Sequence, residues 1–165
     1  MRTEKNMRIL VLSDTHGDAR SLMRALQQQP NAEMIIHCGD GRAEVEDLQK
    51  VLKDIPIVPV RGNCDWGSAL PPTQTIEVAG KRIFITHGHL YQAKFSIYNL
   101  VCAAREEKAD IVCFGHTHQA MAEYDDGLYI LNPGSCHGYG ATYAYIDITS
   151  KGDIVTNIVR LDREV

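Results

Sequence analysis

Five short apolar runs in this chain each stop at a residue able to bind a metal ion, and that coincidence restricts the fold more than any other feature. Ile9-Leu-Val-Leu12 runs through Ser13 into Asp14-Thr-His16, and Met34-Ile-Ile-His-Cys38 into Gly39-Asp40. Ile57-Val-Pro-Val60 leads to Arg61-Gly-Asn63, and Arg82-Ile-Phe-Ile-Thr86 to His87-Gly-His89. Ile111-Val-Cys-Phe114 passes through Gly115 into His116-Thr-His118. Runs of this length and type read as strands buried on both faces. In an open α/β sheet, ligands gather at the carboxyl ends of such strands. One His-x-His pair is weak evidence; five runs ending in this chemistry are hard to call chance.

Between the first runs lie two helical patterns. Ala19 to Gln28 places Leu22, Met23 and Leu26 on one face before Pro30, and Glu44 to Lys53 does the same with Val45, Leu48 and Leu52 before Pro56. The order β-α-β-α-β with short connections predicts right-handed crossovers and parallel pairing. Pro59 assigns its strand to an edge or a bulge. After Pro71-Pro72 hairpins dominate: Gln74 to Val78 with Arg82 to Thr86, Ala120 to Tyr124 with Leu128 to Leu131, and Thr142 to Ile148 with Ile154 to Leu161. Gln92 to Lys108 reads as the longest helix, with Phe95, Tyr98, Val101 and Cys102 on one face. The expectation is an α/β chain with two packed sheets and helices outside.

The totals exclude several classes. With 165 residues the chain is expected to be one domain, 1–165, with a real core. A net charge of −4 without a basic run disfavours strong binding to a nucleic-acid backbone. Five cysteines (Cys38, Cys64, Cys102, Cys113 and Cys136) without a C-x-x-C pair fit a reduced compartment better than a disulfide framework. No run reaches membrane-spanning length, and Met1 to Asn6 does not resemble a signal peptide. The cytoplasm is the expected location.

The donors Asp14, His16, Asp40, Asn63, His87, His116 and His118 are all oxygen or imidazole groups. Such a set suits Mn²⁺, Fe²⁺, Ni²⁺ or Zn²⁺ and argues against a structural cysteine-zinc site. Seven donors are too many for one ion with an open position. Two ions roughly 3.5–4 Å apart, sharing one carboxylate, would use them.

The series D-x-H, G-D, G-N-x-D, H-G-H and G-H-T-H, with Asn132-Pro-Gly-Ser135, resembles the calcineurin-like metallophosphoesterase superfamily, and the version Gly62-Asn-Cys-Asp65 is similar to its small bacterial and archaeal phosphodiesterases. The resemblance implies a four-layer α/β/β/α sandwich of two packed mixed sheets flanked by helices. It implies one metal on Asp14, His16 and His118, a second on Asn63, His87 and His116, and Asp40 bridging. The implied reaction is hydrolysis of a small, nucleotide-like phosphodiester by a metal-bridging hydroxide, with two divalent ions, manganese first among them. A phosphomonoesterase or nucleotide pyrophosphatase would use the same centre. The retromer component shares the fold and serves as a protein-interaction scaffold, so a non-catalytic reading stands as the alternative from another class. Small members often form dimers or tetramers.

Two departures from the family pattern bear on catalysis. Where many members carry a histidine after the asparagine, this chain has Cys64, whose thiol could donate a proton but hydrogen-bonds weakly. His89 could supply the proton instead, so Asp40, Asn63, Cys64 and His89 are the expected catalytic group. The Pro-Arg that often follows Asn-Pro-Gly-Ser is replaced by Cys136-His-Gly-Tyr-Gly140, and no arginine can be assigned to the substrate. His37 reads as a satisfied core histidine, Asp65 as a loop cap, Ser135 as a loop hydrogen-bonder and His137 as a surface residue.

Overall fold

A computed structural model of the chain describes residues 6–161; the polar stretch Met1 to Asn6 lies, apart from Asn6, outside the described residues. Ten strands form two five-stranded sheets. In the first, β1 (Met7–Leu12) is central, parallel to β2 (Met34–His37) and antiparallel to β9 (Thr142–Ile148). β3 (Ile57–Pro59) and β10 (Ile154–Arg160) form its edges, giving the order β10-β9-β1-β2-β3. Pro59 lies on the edge strand, as its missing N–H requires. In the second sheet β6 (Ile111–Cys113) runs parallel to both β5 (Lys81–Thr86) and β8 (Leu128–Asn132). β4 (Thr73–Val78) and β7 (Met121–Asp125) close it as edges, in the order β4-β5-β6-β8-β7.

Alternation along the strands makes the layers. In β1, Ile9 and Val11 face the second sheet, where they meet Ile83 and Ile85 of β5 and Ile111 and Cys113 of β6. Leu10 and Leu12 face the other way, onto Leu22 and Ala25 of α1 (Ala19–Gln28) and Leu48 of α2 (Arg42–Val51). Phe84, Val112 and Phe114 turn outward from the second sheet onto Leu100 and Ala104 of α3 (Tyr98–Glu106). Strands apolar on both faces must be covered twice. The result is three apolar layers between four layers of secondary structure, the α/β/β/α sandwich.

α3 corrects the sequence reading. The helix begins at Tyr98, not Gln92, and at nine residues is shorter than α1 and α2. Before it, Gly88 (φ +106°) and Gln92 (φ +56°) bracket a single 3-10 turn, His89–Tyr91, and the chain reverses. Phe95 and Tyr98 are 90% and 71% exposed, so these two of the expected apolar face point to solvent, while Val101 is partly buried against the cluster and Cys102 is half-buried. The buried face is Leu100 and Ala104, at the i, i+4 spacing that packs on β5 and β6. α2 also begins two residues before the expected Glu44 and ends at Val51.

Candidate metal centre

The carboxyl ends of β1, β2, β5 and β6 point to one edge of the sandwich, and the loops after them bend sharply. Asp14, His16, Asp40, His116 and His118 all have left-handed backbones, with φ between +43° and +68°. Non-glycine residues there carry strain on the order of 1 kcal/mol or more each. Five in one place show that the fold holds these side chains convergent against local preference. Glycines supply the room. A Cβ on Gly62 would lie 2.5 Å from the Asp40 nitrogen, and one on Gly115 would lie 2.5 Å from Asp14 Oδ2.

The seven predicted donors come together. Asp14 Oδ1 lies 3.2 Å from His118 Nε2 and 3.6 Å from His16 Nε2, and the two imidazole nitrogens are 3.4 Å apart. Bonds of about 2.1 Å from one ion to three donors require donor separations of about 3.0–3.4 Å. Two sides of this triangle fall in that range and the third, at 3.6 Å, lies just beyond it. On the other side Asn63 Oδ1 is 2.9 Å from His87 Nε2 and 3.1 Å from His116 Nδ1. Asp40 lies between them, its Oδ2 being 3.2 Å from His87 Nε2 and 3.9 Å from His16 Nε2. Its Oδ1 accepts from the Cys64 backbone N–H at 2.7 Å, leaving one oxygen to share.

Electrostatics favours a cation here. Asp14 Oδ1 is buried with no hydrogen-bond partner, while Oδ2 accepts from Ser13 Oγ and the His116 N–H. An unpaired buried carboxylate oxygen costs free energy unless a cation meets it. His87 Nδ1–H donates to the Cys38 carbonyl at 2.7 Å, so Nε2 faces Asn63 and Asp40 oxygens. A neutral imidazole would set a lone pair against two acceptors. Burial opposes a proton on His87, but the hydrogen bond to Asp40 and the charges of Asp14 and Asp40 raise its pKa. Burial likewise acts to raise the Asp40 carboxyl, and the His87 hydrogen bond and charge outweigh it, holding the group well below the usual carboxylate range. Burial, then the charge of His87, lower His116 to about 4, leaving it a neutral imidazole. A divalent ion would fit where Nε2 of His87 meets the Asn63 and Asp40 oxygens. Asp14, His16 and His118 form one cluster and Asp14, Asp40 and His87 a second that overlaps it through Asp14.

The remaining predicted residues are placed as follows. Cys64 is exposed, and its sulfur comes within reach of His16 and Asp40 as a third cluster. Burial and then the charge of Asp40 push its thiol up. The His89 ring stands 5.3 Å from that of His87 and 6.1 Å from that of His116, and its buried Nδ1 has no partner. Asp65 caps the loop, accepting from the N–H groups of Asp40, Gly62 and Arg42. Ser135 Oγ donates to the Asp14 carbonyl, and His37 is buried against Thr15 and Gly39. His137 is a surface residue, as expected, and also stands at the cleft. It is exposed, yet its ring is 6.1 Å from that of His16, and it lines the cleft beside His118.

Three supports were not read from the sequence. Asn132 is fully buried and donates to the Gly115 carbonyl and Thr117 Oγ1, bracing the His116–His118 loop. Thr15 Oγ1 joins His37 to Glu44 of α2. Arg42 Nη1 donates to the Trp66 carbonyl. Polar residues beside ligands were the only signal for them, and no pattern named their partners.

Fold and centre together define a metal-dependent phosphoesterase. The family model for the calcineurin-like phosphoesterase superfamily domain matches residues 7–151, and the chain belongs to that superfamily. It is 33% identical over 153 residues to the "probable metallophosphoesterase YsnB" of Bacillus subtilis, covering 91% of this chain and 88% of that one. A solved structure titled as a novel archaeal phosphodiesterase superposes with a TM-score of 0.74 at 26% identity, covering 93% of this chain and all of that one. The chain is also 33% identical over 139 residues to vacuolar protein sorting-associated protein 29 of Schizosaccharomyces pombe, covering 80% and 73% of the two chains.

Proposed function

We propose that the chain is a phosphodiesterase acting on a small organic diester. Asp14, His16 and His118 hold one divalent ion, Asn63, His87 and His116 the other, and Asp40 lies between them. When bound, two such ions lower the pKa of water and stabilise charge developing at phosphorus. The chain's own residues set the geometry. Asp40 gives one oxygen to the centre and anchors the other on the Cys64 N–H. Asn63 turns its carbonyl oxygen to the histidines, its NH₂ facing the Cys64 sulfur at 3.5 Å. Cys64 and His89 flank the centre as proton donors to the leaving oxygen.

The observation that carries this reading is the buried, unpartnered Oδ1 of Asp14 within 3.6 Å of two imidazole nitrogens. Manganese is the proposed native metal, the cytoplasm the proposed location, and one domain, self-associating as a dimer or tetramer, the proposed organisation. Among the described residues no helix is long and apolar enough to cross a membrane. The likeness to the fission-yeast sorting protein favours a second reading, a scaffold without catalysis; a complete donor set, with five of its seven residues in left-handed backbone and three buried, supports the enzyme instead.

The test is hydrolysis of bis-p-nitrophenyl phosphate beside p-nitrophenyl phosphate by metal-stripped protein resupplied with Mn²⁺, Ni²⁺, Zn²⁺ or Mg²⁺. Diester cleavage that returns with metal and is lost in Asp40→Asn is expected. Stoichiometric metal binding without turnover on either ester would leave the scaffold standing.

A further inference from the structure

Trp66, the chain's single tryptophan, is 85% exposed and stands on the rim of the metal centre. Exposing so large an apolar side chain is unfavourable, and the loop beneath it is not slack. Asp65, the preceding residue, is buried and accepts three backbone N–H groups, while the Trp66 carbonyl accepts from Arg42 Nη1 at 3.0 Å. The indole therefore projects from a fixed backbone. It walls a cleft of about 480 Å³ whose inner end is His16, Asp40 and Cys64. A second cleft, about 500 Å³, opens across His16 and His118, with His137 and Tyr139 as its outer wall. The two clefts share His16, so the centre lies where they meet.

Charge decides what fits the clefts. In the first, Arg42 is the one Lys or Arg, and it is already occupied by Glu46 Oε1 at 2.9 Å and by the Trp66 carbonyl. Glu44 and Glu46 add negative charge on the same wall. Among the described residues the second cleft is lined by no Lys or Arg. Lys94 and Arg61 stand near enough for their charges to act on His116 and His89, but among the described residues neither lines these clefts, whereas both clefts present an aromatic ring.

Resting on the phosphodiesterase reading, we infer that the substrate is a diester whose two arms are uncharged, with a flat ring on one of them stacked on Trp66 and the other arm lying towards Tyr139. Stacking of a ring on an aromatic side chain is sequence-tolerant and needs no hydrogen-bond partner. Dinucleoside monophosphates and bis-aryl phosphates belong to this class. Nucleoside polyphosphates, which bring extra negative charge into the acidic cleft, do not.

The single tryptophan makes the test direct. Metal-loaded protein is titrated with diphenyl phosphate and with dimethyl phosphate, equal in charge and different only in their rings, while indole fluorescence is followed. Saturable quenching by the diphenyl ester alone is expected. In competition with chromogenic diester hydrolysis, Trp66→Ala raises the Ki of diphenyl phosphate about tenfold, Trp66→Phe restores most of it, and dimethyl phosphate inhibits all three proteins equally. Diester turnover with no quenching, or a Ki unchanged in Trp66→Ala, overturns the stacking assignment and leaves the phosphodiesterase intact. Absence of turnover with any metal removes the phosphodiesterase reading itself.

Discussion

Oδ1 of Asp14, buried at the end of β1, lies 3.2 Å from Nε2 of His118, which comes from the loop after β6 in the other sheet. The contact ties the two sheets together at the ligand edge, and its chemistry is incomplete without a cation.

That incompleteness predicts metal-dependent stability. With free Mn²⁺ at a hundred times its Kd, each ion bound to the folded state alone stabilises by about 2.7 kcal/mol, which raises Tm by roughly 5–10 °C per ion for a chain of this size. Differential scanning calorimetry before and after chelation reads this directly. Asp14→Asn is expected to lower the bound metal from two ions to one per chain and to remove about half of the shift.

Gly62 is predicted to matter through space alone. An alanine methyl there would sit 2.7 Å from Asp40 Cγ and 2.5 Å from the Asp40 nitrogen, so the shared carboxylate must move. Displacements of about 1 Å at a reacting centre cost on the order of a hundredfold in rate. Gly62→Ala should therefore lose diester hydrolysis by about that factor while its far-ultraviolet circular dichroism stays native; full activity would contradict the cradle.

His37 predicts a pH dependence away from the reaction. Burial holds this imidazole down to about 4 against an ordinary 6.5, and it stays neutral, accepting the Gly39 N–H. Between those values the unfolded chain takes up a proton that the native state refuses. Stability from this residue is complete above pH 6.5 and falls as the pH drops towards 4, by at most about 1.4 kcal/mol per pH unit. Urea midpoints measured from pH 7 to 4.5 should fall less steeply in His37→Gln than in the natural chain.

Cys64 predicts a dependence on the leaving group. A protonated thiol beside Asp40 can give its proton to a departing alkoxide, and general acids of this kind contribute about 10²–10⁴-fold. A p-nitrophenolate leaves without help. Cys64→Ala should keep two bound metals and nearly full bis-p-nitrophenyl turnover, and lose at least tenfold on a diester with an alkyl leaving group. Equal losses on both substrates would point to a structural role.

Much of the layered fold could be read from residue order. The alternation of Ile9 and Val11 with Leu10 and Leu12 already required two covered faces, and Pro59 already called for an edge or a bulge, of which the fold uses the edge. Strand periodicity is fixed by the backbone, so side-chain direction follows from position alone. Helix phase is softer. Phe95 and Tyr98 looked like the buried face of α3, but Gly88 and Gln92 turned the chain before the helix began, and Leu100 and Ala104 met the sheet. Which stripe packs is decided by the neighbouring layer.

The donors were legible in residue order: seven oxygen and imidazole groups at strand ends, with the family resemblance they carry. Their separations, the left-handed backbones that aim most of them, the buried oxygen left without a partner, and the braces from Asn132 and Asp65 came only with the packed fold. It also placed His137 beside His16 and pinned Trp66 at the cleft. Side-chain type is local information, whereas distances between chain-remote atoms exist only once two sheets pack and their strand ends are held at one edge.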